Sequence, residues 1–425
     1  MKKTLLCALA VLLLLTVLAA CEKKPETPAG PTSVSAYKSQ GEYPKMAEQL
    51  TWERLNAQPM KTENMTVADA RKICVDFFRY AKTALWTPDE DLDFVRNAAG
   101  NADQMKKGIV YGGLPYIGLG SGNVYRLMDY MDESTGVVDI SNAAGVLKAF
   151  GNQCSIGAWW GWARAVNSSD YKWSQTCLVS HGLLRVGPYT YDDALEELST
   201  SYNTLNIIEE NGTNTIYESY AAMHQGDGLV WYLNAGHVAM CSSEPVVVKN
   251  GDGTINGNES YLTYIDQGQK WNERTNESGD TFTRKNGVDT KKTFAELAEA
   301  YYVPFTFKEF TGEDPIEKTE VTFSHEGDTI TKAELFSAKV TSNYSISDIY
   351  ALVYDGKGNE VYKHAVRCIE ANTEALAFTE TAAEDAGFDN VERWGVLKSG
   401  TYTVKVVVQL GTGERPTVYE GTLTV

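Results

Sequence analysis

The stretch Gly151-Asn152-Gln153-Cys154-Ser155-Ile156-Gly157-Ala158-Trp159-Trp160-Gly161-Trp162 sets a single cysteine between a polar run and an apolar, aromatic one. Continued by Ala163-Arg164-Ala165-Val166, it reads as a loop that turns into a buried helix with Cys154 in its first turn. Backbone N–H groups without an intrahelical partner, together with the positive end of the helix dipole, stabilise a thiolate at such a place and can hold an oxyanion. Cys154 is therefore a candidate nucleophile. The plainer reading is a small buried apolar residue, and this stretch alone does not decide between the two.

The remaining composition narrows the choice. A chain of 425 residues, 43% hydrophobic and 22% charged, is long enough for two or three globular domains with substantial cores. A net charge of -18 argues against nucleic acid as a partner, because a phosphate backbone selects for basic patches. Lys2 and Lys3 precede an apolar run over 5–18, and Leu18-Ala19-Ala20-Cys21 follows. This is the layout of a secretory signal peptide. Its last four residues resemble a bacterial lipobox, which implies lipidation of Cys21 and a chain tethered to a membrane outside the cytoplasm, in the cell envelope. The apolar run is short for a membrane span of about 20 residues. Cys74, Cys154, Cys177, Cys241 and Cys368 remain, an odd number in an exported chain, so at least one thiol is expected, with a pair such as Cys177 and Cys241 left open.

Residues 1–20 thus read as the signal, and 21–45, rich in Pro, Ser, Thr and charge, as a flexible stalk. A helix is expected over 66–85, and another starting at Thr87-Pro88-Asp89-Glu90. The glycine-dense run 108–122 lacks the lysine of a phosphate loop and reads as a cleft-lining loop. Residues 191–202 read as helical. The runs 226–233 and 234–241 read as a strand pair, and 246–248 with 260–265 bracket the hairpin turn Asn250-Gly251-Asp252-Gly253. That turn lacks the ligand spacing and distal glutamate of a calcium loop, and no metal or cofactor is expected. A helix over 293–302 and a strand over 303–310 close a domain spanning 46–312. Beyond it, strand-like runs at 321–323, 333–340, 349–354, 362–366, 401–408 and 418–425 suggest an immunoglobulin-like β-sandwich over 313–425, a spacer or binding module.

A cysteine nucleophile needs a base, and the base an orienting partner. Of five histidines, His325 and His364 fall in the C-terminal module. His237 opens an apolar strand and is preferred to His181, with His224 in reserve. The strand ending Ile265-Asp266-Gln267 offers two acceptors, of which alternation lets one face the cleft, and Asp266 is favoured because its charge stabilises an imidazolium. The three tryptophans of the cysteine helix read as core in preference to a sugar-stacking platform.

Four segments in order resemble the NlpC-type papain-like cysteine peptidases of bacterial cell walls, over about residues 63–310. These are Gly113-Leu114-Pro115-Tyr116, Gln153-Cys154-Ser155, Gly226-Asp227 with Gly236-His237-Val238-Ala239, and the later polar strand end. The cysteine and histidine segments are also similar to the related CHAP amidases. The resemblance implies an α+β papain-like domain that hydrolyses an amide in peptidoglycan stem peptides or a related peptide. It implies Cys154 as nucleophile, His237 as acid and base, Asp266 orienting it, and Tyr116 and Gln153 at the substrate or oxyanion side. Gln153 stands where the family has an acid, Ile156-Gly157 replaces the glycine after serine, and residues 123–150 intervene before the cysteine helix. These departures keep open a non-catalytic lipoprotein that binds glycan or protein, and a protease or transglutaminase-like enzyme acting on proteins.

Overall fold

The computed structural model describes residues 49–93, 104–117, 120–139, 151–167, 183–192, 195, 197–268, 271–275, 281–285, 287–368, 372–378 and 388–425. The expected signal over 1–20, Cys21 as the expected lipidation residue, the whole expected stalk over 21–45, Cys177 and His181 lie outside the described residues.

The helix expected over 66–85 forms as Val67–Thr83. Thr66 caps it by accepting from the Asp69 N–H, and Asp69 complements the dipole in the first turn. Ile73, Cys74 and Phe78 enter one core and Phe77 another, so a single helix joins two apolar clusters. Each such side chain contributes about 1.5–3 kcal/mol on burial.

Against this helix lies the cysteine helix, Cys154–Trp162, in which every side chain is buried. Gly161 permits the approach: a Cβ there would stand 2.8 Å from both Phe78 Cβ and Met240 Cε. The tryptophans are core, as expected. Trp162 packs on Phe305 and Phe307 and donates its Nε1–H to Gly226 O at 2.7 Å, and Trp160 donates to Ser121 O at 3.2 Å.

The same cluster covers an antiparallel sheet of six strands in the order Thr290–Thr293, Tyr261–Asp266, Gly236–Cys241, Gly228–Tyr232, Val303–Phe307 and Leu183–Arg185. Arg71 pins the corner ahead of the Gly228–Tyr232 strand. It donates to Asp227 Oδ1 at 2.6 Å, Gln225 O at 3.0 Å and Phe310 O at 3.1 Å. Asp227 is thus structural, its carboxyl pushed up by burial and held down by Arg71. The helix expected near 293–302 is Phe294–Glu299 with a capping box of Thr293 and Glu296.

A second six-stranded sheet is assembled from short pieces, including Leu85–Pro88, Tyr111–Gly112 and Val137–Val138. A third runs Thr329–Thr331, Thr417–Thr424, Thr401–Leu410, Ile346–Tyr354, Glu360–Cys368, Phe388–Gly395. The three strands Val321–Phe323, Lys339–Ser342 and Glu374–Leu376 form a fourth, and its Val340 and Ala375 share a core with Ile346, Val404 and Leu423.

The expected α+β papain-like domain followed by an immunoglobulin-like sandwich is not the architecture found. Among the described residues strand exceeds helix, and the four sheets of three or more strands are arranged like the blades of a four-bladed β-propeller, a fifth being the two-stranded pair Leu92–Asp93 with Gln104–Met105. Local readings shift as well. Thr87-Pro88 ends a strand where a helix start was expected. The described part of 191–202 is not helical, and the helix begins at Thr204. Most of 333–340 is the helix Lys332–Ser337, capped by Thr331, followed by a strand from Lys339.

The third sheet is also joined to the first half of the chain by buried charge. Arg126 donates through Nε to Asp348 Oδ1 at 2.7 Å, and Arg367 reaches the same oxygen at 3.0 Å and Asp129 Oδ2 at 2.7 Å. Arg126, Asp348 and Arg367 are all 0% exposed.

Candidate functional site

Cys154 opens its helix immediately after Gln153, which occupies the cap position with extended backbone (φ -97°, ψ 178°) and makes no side-chain capping bond. The first-turn N–H groups are therefore not consumed by the Gln153 side chain, the arrangement an oxyanion needs. Cys154 is buried, whereas His237 and Asp266 keep 18% and 15% of their side chains exposed, so solvent meets the group from the histidine side.

Register brings His237 and Asp266 together. Asp266 pairs with Ala239, two residues beyond His237 on the same strand, so all three point to one face of the sheet. His237 Nε2 lies 2.6 Å from Asp266 Oδ2. The second hydrogen-bond partner of the imidazole is Cys154. With Nε2 engaged by the carboxylate, Nδ1 is the nitrogen that serves the thiol. Burial by itself would lower the His237 pKa, but the Cys154 charge, the Asp266 and Cys154 hydrogen bonds and the Asp266 charge together raise it to about 10. Asp266 is raised by burial but brought below the usual carboxylate range by its bond to His237, the His237 charge and the charge of Lys82. The set is suited to a thiolate–imidazolium pair held by a carboxylate.

Gln267, the alternative acceptor, turns the other way. Its Oε1 accepts from Lys82 Nζ at 2.8 Å and its Nε2 donates to Leu114 O at 2.9 Å. It thereby ties the Asp266 strand to the loop carrying Tyr116. Tyr116 is half-buried and forms a parallel bridge with Asn152. Asn152 N donates to Pro115 O at 3.1 Å and Ile117 N donates to Asn152 O at 3.0 Å, so Tyr116 is stitched beside the segment that delivers Cys154. His224, held in reserve, lies apart: its Nδ1 is 2.8 Å from Glu244 Oε2 on the exposed surface.

Two contributors were missed in the sequence. Lys82 is a buried ammonium within the helix Val67–Thr83, where its spacing gives no sign of a site. Gly287, at φ +90°, donates nothing but space: a Cβ there would fall 1.7 Å from Asp266 Oδ1, while its carbonyl accepts from Asp266 N at 2.9 Å. The Asn286-Gly287 pair was the available signal.

Cys74 and Cys241 have no comparable setting. Burial pushes Cys74 and Cys241 far up, and Cys241 donates to Ser243 O at 3.1 Å. Among the described residues no group of three or more His, Cys, Asp or Glu is placed to hold a metal ion, and no helix is long and apolar enough to cross a membrane. No family model matches the sequence, and no curated protein matches it.

Proposed function

We propose that the chain is a cysteine hydrolase of peptide amide bonds, tethered in the cell envelope through Cys21, with peptidoglycan stem peptides or a related peptide as substrate. The observation that carries this reading is His237 hydrogen-bonded to Asp266 on one side and to Cys154 on the other. The Cys154 thiolate attacks the amide carbonyl, and the first-turn N–H groups of its helix receive the oxyanion. The imidazolium of His237 then delivers its proton to the leaving amine, which departs as the C–N bond breaks. In the second half His237 takes a proton from water, the hydroxide oxygen bonds to the acyl carbon, and the thiolate leaves. Asp266 fixes the tautomer and stabilises the imidazolium throughout. Tyr116, beside Asn152, borders the acyl side of this path.

The test is digestion of purified cell-wall peptides by the wild-type chain and by Cys154→Ala. The wild type releases new amino termini and the variant does not. Equal rates from the two would refute the proposal.

A further inference from the structure

The sheet face that carries His237 and Asp266 continues beyond them as aromatic side chains. Trp231 stands directly opposite His237 on the neighbouring strand, a pairing that puts both side chains on one face with Cβ atoms about 4.5–5.5 Å apart. On the strand beyond, Val303 pairs with Val230, which sets Tyr302, the residue before it, beside Trp231 on that same face. The chain arrives there from the helix Phe294–Glu299 through Tyr301, held at φ +60°. Tyr302 is then fixed by its N–H, which donates to Leu297 O at 3.0 Å, and by its carbonyl, which accepts from the Tyr220 hydroxyl at 2.6 Å. Its ring lies 6.3 Å from that of Tyr264, two residues before Asp266. The Tyr302 hydroxyl has the Trp231 indole, which can only donate, as hydrogen-bond partner, and the charges of Asp266 and Cys154 reach it. Tyr302 is 8% exposed and Trp231 is half-buried, so the solvent-facing part of this wall belongs mainly to Trp231.

Resting on the hydrolase reading, we propose that Trp231, oriented by Tyr302, is the subsite wall for the residue whose amine leaves, and that it takes a neutral apolar or aromatic side chain. The side of the cleft follows from the chemistry: His237 hands its proton to the leaving amine, and Trp231 is the cross-strand neighbour of His237, whereas Tyr116 borders the acyl side. An indole face offers a large apolar surface for such a side chain. Charge decides the class. An acidic group would face the Cys154 thiolate and Asp266, and a basic one the His237 imidazolium, so either would give up water for a like charge. Tyr302 acts through the indole and is a positioning residue.

The test is a set of short peptides identical except for the residue that supplies the scissile amine, which is Phe, Leu, Gly, Glu or Lys, cleaved by the wild-type chain and by Trp231→Ala, Trp231→Phe and Tyr302→Phe. Circular dichroism checks that each variant is folded. In the wild type kcat/KM for Phe and Leu should exceed that for Gly, Glu and Lys by roughly tenfold or more. Trp231→Ala should bring the Phe-to-Gly ratio close to one, Trp231→Phe should retain most of it, and Tyr302→Phe, which keeps the ring but frees the indole, should lower it severalfold. Equal wild-type rates for Phe and Gly, a preference for Glu or Lys, or a ratio unchanged in Trp231→Ala would overturn the inference and leave the hydrolase reading standing. A wild type that cleaves no member of the set would overturn the inference, and a Cys154 no more reactive toward iodoacetamide than a free thiol would remove the hydrolase reading with it.

Discussion

Replacing Asp348 by alanine removes a carboxylate shared by two fully buried guanidinium groups. Arg126 Nε stands 2.7 Å from Asp348 Oδ1 and Arg367 3.0 Å from the same atom, and all three residues are 0% exposed. Arg367 keeps Asp129 and Glu392 as anionic partners, at 2.7 and 2.9 Å. Arg126 keeps only neutral acceptors among the described residues: Ser121 O and Oγ, Ser347 O and Cys368 O. Breaking a buried pair by deleting one partner costs about 3–5 kcal/mol, because the remaining charge stays desolvated. At about 1.4 kcal/mol per decade this is two to three and a half decades in the folding equilibrium, a large share of the roughly 5–15 kcal/mol of a typical domain. The assay is urea unfolding of wild type, Asp348→Ala and Asp348→Asn, followed by circular dichroism. Asp348→Asn keeps the shape and one acceptor oxygen, so its loss should be the smaller of the two. A loss in Asp348→Ala below about 1 kcal/mol, the worth of an exposed surface pair, would refute the reasoning.

Three further outcomes are expected. Because the His237 pKa is raised to about 10, the imidazolium persists across neutral pH, and its contribution is complete below about 6.5 and lost as pH rises through about 10. Hydrolysis should therefore fall on an alkaline limb near 10, and Asp266→Asn should move that limb to lower pH. In Gly287→Ala the new Cβ occupies the place of Asp266 Oδ1 at a backbone φ of +90°, forcing the carboxylate off His237. Steady-state kinetics should show a loss of about a hundredfold, together with a lowered melting temperature, because the new Cβ also meets Asp266 O at 2.7 Å in a backbone conformation that disfavours a side chain. When the native chain is treated briefly with iodoacetamide and mapped by mass spectrometry, Cys154, beside His237, should carry the label while Cys74 and Cys241, equally buried but with their thiols pushed up, stay unmodified until the chain is unfolded.

What was legible in the sequence was local and periodic. The apolar positions of 66–85 announced a helix, and the strand pair around His237 and the Asn250–Gly253 turn announced themselves through alternation and glycine, while the Thr66 and Thr293 caps came to light only in the structure. Gly253 adopts φ +87°, as a turn of that kind requires. The choice between Asp266 and Gln267 followed from charge and alternation, and the structure sets Asp266 on His237 and Gln267 on Lys82. Architecture was far less legible. Strands of two residues such as Tyr111–Gly112 and Val137–Val138 are shorter than any period that alternation can reveal, and their sheet is held by residues distant in the chain. The Ala333–Val340 run alternates well enough to imitate a strand, yet the capping box of Thr331 and Glu334 starts a helix there. Buried charge was invisible altogether, since Arg126 and Asp348 are 222 residues apart and each alone reads as surface.

The central claim is that His237 holds Cys154 as a reactive thiolate. The most direct test is the rate of Cys154 alkylation against pH in the wild-type chain, compared with His237→Ala. The account predicts alkylation that stays fast well below the ordinary thiol pKa of about 8.5 and a loss of that low-pH reactivity in the variant. A rate that rises only through about 8.5, identical in the two proteins, would contradict it.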